Sequence, residues 1–182
     1  PITGTPEDPR WGGAGGIIEY AVKMRRFDEA QRLDHVCARG ELTPDRVSDL
    51  AQALVDFHAA AEVAAGGSPF GTPERALAPA LDNLRIAAPL LSGAEVQARL
   101  DSLRAWTQSA WQQLAPRMQQ RQTQGMVREC HGDLHLGNLV LIAERVRLFD
   151  CIEFNADLRW IDVASELAFT YMDLLQHQQP GL

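Results

Sequence analysis

The sequence predicts an α+β chain: a mostly helical body that carries one short β-hairpin and is preceded by a couple of strands. Three observations predict it. Apolar residues recur at helical spacing behind two Thr-Pro starts and one Ser-Gly-Ala-Glu start. Two four-residue runs, Leu139 to Ile142 and Val146 to Phe149, flank a three-residue connection of ordinary hairpin length. The opening residues combine Pro and Gly with an apolar run from Ile17 to Met24. At 182 residues the chain is long enough for one well-buried domain, or for one domain and a fragment of another.

In order, the first section reads as strands over roughly 1–3 and 17–24, joined by a Gly-rich connection. Residues 28–42 are polar and weakly helical, ending at Gly40. Thr43 is an N-cap, Pro44 suits the first helical position and Asp45 favours the positive end of the helix dipole. Val47, Leu50, Leu54, Phe57 and Ala61 then form one stripe, which Gly66-Gly67 stops. Thr72-Pro73 starts a second helix, running to about Leu84 with Pro89 near its end. Ser92 to Glu95 is a capping-box pattern, followed by Val96, Leu100, Leu103, Trp106 or Thr107, Ala110 and Leu114. Pro116 is expected to kink or interrupt that helix, which resumes to Gln124. A last helix begins near Asp162 and presents Val163, Leu167, Tyr171 and Leu174 on one face.

Composition narrows the function classes. A formal net charge of −7 argues against a nucleic-acid partner, which needs a basic face to neutralise phosphates. No apolar run approaches the roughly 20 residues that span a bilayer, so no membrane partner is expected. Cys37, Cys130 and Cys151 are an odd, scattered set, which predicts a reduced, cytoplasmic setting. The opening PITGT lacks a Met and reads as mid-phrase, the mark of a fragment of something longer.

The chemistry concentrates in CHGDLHLGNLVLIAERVRLFD, Cys130 to Asp150. With Glu144 as the midpoint, folding the ribbon sets Asn138 opposite Asp150, roughly 5 Å apart at Cα. One amide oxygen and one carboxylate make a sparse oxygen-only site that suits Mg²⁺. Asp133, in a tight loop with Gly132 and Gly137, is placed to orient an attacking hydroxyl.

HGDLHLGN, a hairpin and then LFD resemble the catalytic core of the aminoglycoside phosphotransferase and choline kinase-like family, within the protein-kinase-like superfamily. That superfamily's H-R-D-x-x-x-x-N and D-F-G correspond to His131-Gly132-Asp133, Asn138 and Phe149-Asp150-Cys151, with Gly in place of Arg. The resemblance implies Asp133 as catalytic base, Asn138 and Asp150 as metal ligands, and ATP and Mg²⁺ as cofactors. It implies γ-phosphate transfer to a small-molecule hydroxyl acceptor. RWIDVASELAF resembles the family's helix start, which implies that Asp162 braces the catalytic loop, with His131 ordering it. LFDCIEFN and RWIDVASELAF together are similar to bacterial predicted kinases that often carry a separate P-loop ATPase domain. Such a domain is an expectation for the parent chain, since GxxxxGK[ST] is absent here.

On this reading residues 28–182 are a kinase-like, mostly helical C-lobe, truncated at its C-terminal end. Residues 1–27 are the last strands of a truncated N-lobe and the hinge, with Val22 and Met24 at the nucleotide. The true Gly-rich loop and ATP lysine are expected upstream, which would leave the fragment inactive alone. Gly12 to Gly16 with Lys23 imitate that loop and lysine, but only six residues separate Gly16 from Lys23, too few for a return strand and turn. His135 and Glu153 stand on the substrate or metal side, although Glu153 equally suits a solvated loop.

Two other readings compete. His131, Asp133 and His135 alternate as H-x-D-x-H, a pattern able to bind a hydrolytic metal. A kinase-like module without catalysis would be indifferent to Asp133 and Asp150. His58, inside a helix, reads as structural, and Trp106, Trp111 and Trp160 as core or groove wall.

Overall fold

A computed structural model describes residues 1–182. Strands β1 (Ile2–Thr5), β2 (Asp8–Trp11) and β3 (Ile17–Glu19) form a small antiparallel sheet in the order β2-β1-β3. The sequence reading has no counterpart to β2, whose DPRW contains Pro and is exposed throughout. The expected strand over 17–24 stops at Glu19. Residues 20–28 run on without regular structure, and Val22 and Met24 are exposed.

The helical body follows as α1 (Leu33–Ala38), α2 (Pro44–Ala60), α3 (Pro73–Ala87) and α4 (Ala94–Thr123). Both Thr-Pro starts hold. Thr43 accepts the Arg46 N–H at 3.4 Å and Thr72 accepts the Arg75 N–H at 3.3 Å. The capping box does not form, because Gly93, at φ +108°, is the N-cap and offers no side chain. Pro116 lies inside α4 without ending it. Proline leaves the carbonyl four residues earlier without a donor, and here that residue, Gln112, is exposed and open to water. The same holds for Pro79 inside α3, since Arg75 is exposed. No residue of α4 is buried. Its expected apolar stripe packs chiefly along α3, leaving Leu103, Trp106 and Leu114 exposed.

After β4 (Val127–Glu129) and the motif loop come the hairpin strands β5 (Leu139–Ile142) and β6 (Arg145–Leu148). The short helix α5 (Ala156–Arg159), β7 (Trp160–Asp162) and α6 (Val163–Gln176) complete the chain. β7 returns antiparallel to β4, pairing Val127 with Asp162. One core lies between α1, α2, the hairpin and α6, and includes Leu33, Val36, Leu50, Leu54, Leu139, Val146 and Leu174. Both hairpin edges are covered. Val140 bridges to Arg32, and the Val146 N–H donates to Asp49 Oδ2 at 2.6 Å. No helix is long and apolar enough to cross a membrane.

Candidate active site

The hairpin turns one residue tighter than the sequence predicts. Ile142 pairs with Arg145, so the loop is Ala143-Glu144, with φ of +50° and +59°. Two positive φ values define the turn whose twist matches a two-residue hairpin. The partner facing Asn138 is therefore Phe149, whose N–H donates to the Asn138 carbonyl at 3.1 Å, and not Asp150. A one-residue slip would normally turn Asp150 to the opposite face. Asp150 instead adopts φ +61°, a left-handed bend that Asp tolerates better than most residues and that re-aims the chain as it leaves the strand.

His131 fastens that bend to the motif loop. Its Nε2–H donates to the Phe149 carbonyl at 2.7 Å, and its own carbonyl accepts the Ile152 N–H at 3.0 Å. Asp150 thus lies between two tethers to a single buried histidine. Its exposed carboxylate takes no hydrogen bond or ion pair. Phe27, at the end of the extended stretch after β3, packs edge-on against Phe149 at 4.8 Å and brings that stretch beside the site.

Inside the loop, Leu134 and Leu136 are fully buried in the core while Asp133 and His135 are half-exposed. Each leucine contributes about 2 kcal/mol by leaving water, which anchors the segment on both sides of His135. Asn138 donates its amide nitrogen to the Asp133 carbonyl at 2.8 Å and to Asp133 Oδ2 at 3.1 Å. Its Oδ1 accepts nothing, and no buried side-chain polar atom lacks a partner, so that oxygen reaches solvent. An amide oxygen and an unpartnered carboxylate, Asn138 and Asp150, are hard donors that fit a Mg²⁺ ion retaining several waters.

The H-x-D-x-H metal site is not assembled. His131 Nδ1 accepts the Asp133 N–H at 3.3 Å while Nε2 serves Phe149, so neither nitrogen is left for an ion. Burial of His131 also removes it from the face that Asp133 and His135 share. Glu153 is exposed; its carbonyl accepts from Arg159 at 2.9 Å and its carboxylate holds nothing.

Asp162 makes no direct hydrogen bond to the motif loop. It caps α6 by accepting the Ala164 N–H at 2.8 Å, and both its oxygens take a fork of 2.7 Å bonds from Arg121 of α4. That carboxylate holds the Arg121 guanidinium above its ordinary range. The bracing comes from one face of α6. Glu166 Oε1 accepts the Gly132 N–H at 2.9 Å, Thr170 donates to the Leu134 carbonyl at 2.8 Å, and Asp173 accepts the Leu136 N–H at 2.7 Å. Alternate loop residues are met by helix positions four and then three apart, the spacing of one helical face. The expected stripe holds at Leu174, which is buried, but fails at Leu167 and Tyr171, which are exposed while Glu166 and Thr170 are buried. A polar residue recurring at 166, 170 and 173 within an apolar helix was the available signal.

His58 supports Glu166 from α2, Nε2 to Oε2 at 2.5 Å, in keeping with its structural reading. Cys130 lies close to both, and the three ligand atoms fall within 4.8 Å of one another. Each is already hydrogen-bonded: Cys130 Sγ donates to the Ile161 carbonyl at 3.5 Å, and Glu166 has its two partners. Burial, then the nearby Glu166 and Asp162 carboxylates, push the Cys130 thiol up to about 12. Near the loop, burial would raise Asp34, but hydrogen bonds from Arg32 and the His35 N–H, with the Arg32 charge, leave it below its ordinary value.

The D-x-x-x-x-N loop is tied to the hairpin that follows it, and it leaves Asp133 Oδ1, Asn138 Oδ1 and the Asp150 carboxylate without protein partners. Residues 14–182 match the phosphotransferase enzyme family (APH), and the chain belongs to that family. It is 28% identical over 165 residues to uncharacterized protein Rv2004c of Mycobacterium tuberculosis (strain H37Rv) and to uncharacterized protein Mb2027c of Mycobacterium bovis. Those alignments cover 88% of this chain and 32% of each relative, so the chain spans about a third of the length of the curated relatives it matches. No solved structure matches it at a significant level.

Proposed function

We propose that the chain carries the catalytic loop of an ATP-dependent phosphotransferase that moves a γ-phosphate to the hydroxyl of a small molecule. The observation that supports this best is the division of labour at Asn138. Its amide nitrogen fixes Asp133, and its oxygen is left facing solvent in the same loop to which Asp150 is tethered. Asn138 and Asp150 would hold Mg²⁺, which when bound offsets the charge on the phosphate oxygens.

Asp133 Oδ2 is engaged by Asn138, whereas Oδ1 accepts no protein hydrogen bond and is available to the acceptor. As the acceptor oxygen bonds to phosphorus and the bond to the departing ADP breaks, the hydroxyl proton passes to the Asp133 carboxylate. An ordinary carboxylate suffices, because positioning dominates this chemistry. His131 keeps the Asp150 bend and the loop in register through both of its nitrogens. In this reading residues 1–27 are the end of a smaller lobe, and the extended backbone at Val22 and Met24 receives the nucleotide base, held near by Phe27.

The test uses the intact protein and measures γ-phosphate release or transfer from MgATP. Asp133→Asn should lower turnover by at least a thousandfold with circular dichroism unchanged, and an unimpaired rate removes Asp133 from its role. Asp150→Ala should weaken Mg²⁺-dependent nucleotide binding at least tenfold. Equal affinity would instead favour a non-catalytic module.

A further inference from the structure

We propose that His135 is a positioning residue that orients the Asp133 carboxylate, an inference that rests on the phosphotransferase reading. His135 caps the 3₁₀ turn at Leu136–Asn138, and its Nδ1 accepts the Gly137 N–H at 3.1 Å. With Nδ1 accepting, the ring proton resides on Nε2, which stands 3.6 Å from Asp133 Oδ2. The ring also lies against Gly137. A Cβ there would come within 2.8 Å of His135 Cε1 and 2.9 Å of Nδ1, so only glycine admits the imidazole in this place.

Two N–H donors therefore address one oxygen of Asp133, Asn138 Nδ2 at 3.1 Å and His135 Nε2 at 3.6 Å. The second distance is longer than a hydrogen bond, and such contacts tighten when substrate closes the site. Once both donors close on Oδ2, the carboxylate cannot exchange its two oxygens, and Oδ1 stays the one that meets the acceptor hydroxyl. A protonated Nε2 has no lone pair to offer a metal, and Nδ1 is occupied, so His135 acts through Asp133. The competing role is that of a turn cap alone.

Two isosteres separate these roles. An asparagine amide reaches about as far as Nδ1, so His135→Asn keeps the cap to Gly137 and loses Nε2. A glutamine amide reaches about as far as Nε2, so His135→Gln keeps the donor toward Asp133 and loses the cap. Gly137→Ala leaves His135 in the chain but displaces its ring. In the intact protein, with ADP formation from MgATP and water as acceptor, His135→Asn and Gly137→Ala should each lower kcat about tenfold. KM for ATP should stay within about twofold, and His135→Gln should keep kcat within about threefold. Wild-type kcat in His135→Asn, or a lower kcat in His135→Gln than in His135→Asn, overturns the proposal.

Asp133→Asn in the same assay keeps the two readings apart. If it retains full turnover, the phosphotransferase reading fails. If it is inactive while His135→Asn matches wild type, only the role of His135 fails. Imidazole ¹⁵N shifts supply a readout that needs no turnover: His135 should be the Nε2–H tautomer, with Nε2 shifting in Asp133→Asn. An Nδ1–H tautomer overturns the assignment whatever the activity.

Discussion

Thr170→Val probes the bracing of the motif loop with a single atom change of nearly constant volume. Thr170 is buried, with 5% exposure, and its hydroxyl has one hydrogen to give. The shorter contact, 2.8 Å to the Leu134 carbonyl, claims it over the 3.3 Å contact to the Glu166 carbonyl in its own helix. No other donor reaches the Leu134 carbonyl. Valine fills the same space and has nearly the same helix propensity, so neither cavity nor helix terms enter. What remains is a buried carbonyl without a partner, at a cost of about 1–3 kcal/mol. For a chain of this size that is a fall in Tm of roughly 2–12 °C. Urea denaturation gives the free energy, and hydrogen exchange locates it: amides from 134 to 138 should lose protection before those of α2. Thr170→Ser, which keeps the hydroxyl, should retain that protection. A change below about 0.5 kcal/mol with unaltered exchange at 134–138 would refute the idea that α6 holds this loop.

Other expectations follow from the same contacts. Replacing Ala143-Glu144 by Asn-Gly should raise stability by about 1 kcal/mol, because both positions have positive φ. The Arg46–Glu144 contact given up is 3.6 Å long and its glutamate exposed, hence worth little, so a lower Tm would contradict the turn assignment. Among the thiols, exposed Cys151 should react with Ellman's reagent at pH 8, whereas Cys37 and Cys130 should wait for unfolding. Because the folded-state value of Cys130 is raised from 9.0 to about 12, its contribution is complete below pH 9 and is lost as pH rises toward 12. Cys130→Ala should therefore show a shallower alkaline loss of stability over that window; an identical slope would place the titration elsewhere.

What was legible in the sequence were the features set by local chemistry. Thr43-Pro44 and Thr72-Pro73 start helices because cap and first-turn preferences are properties of neighbouring residues. The hairpin was legible as a pair of runs, but its register was not. Ala-Glu carries none of the Asn-Gly signature of a two-residue turn, so the tighter turn had no local mark. The expected strand beyond Glu19 failed because alternation alone does not supply a pairing partner. The pattern of α6 misled for a more instructive reason. Periodicity assigns the apolar side to the interior, and here the interior neighbour is a loop with bare backbone groups, so the buried side carries Glu166, Thr170 and Asp173.

That inversion explains how the loop is held with a single 3₁₀ turn, Leu136–Asn138, as its regular structure. A loop that presents Asp133 and Asn138 side by side satisfies little of its backbone itself, chiefly the Asn138 N–H to the His135 carbonyl at 2.9 Å and the His135 N–H to the Asp133 carbonyl at 3.0 Å. Its apolar residues anchor it through the core, while the Gly132 and Leu136 N–H groups and the Leu134 carbonyl need donors or acceptors from elsewhere. α6 provides them, and His58 from α2 and Arg121 from α4 hold α6 in turn, through Glu166 and Asp162. Gly132 shows how tight the fit is: at φ +88°, a Cβ there would meet the Leu158 carbonyl at 2.7 Å. The Gly that stands in place of Arg in the kinase-like pattern is thus required by the chain that packs behind the loop. Leu158 lies between the Asp150 bend and α6, so the contact at Gly132 ties the motif loop to the segment that joins them.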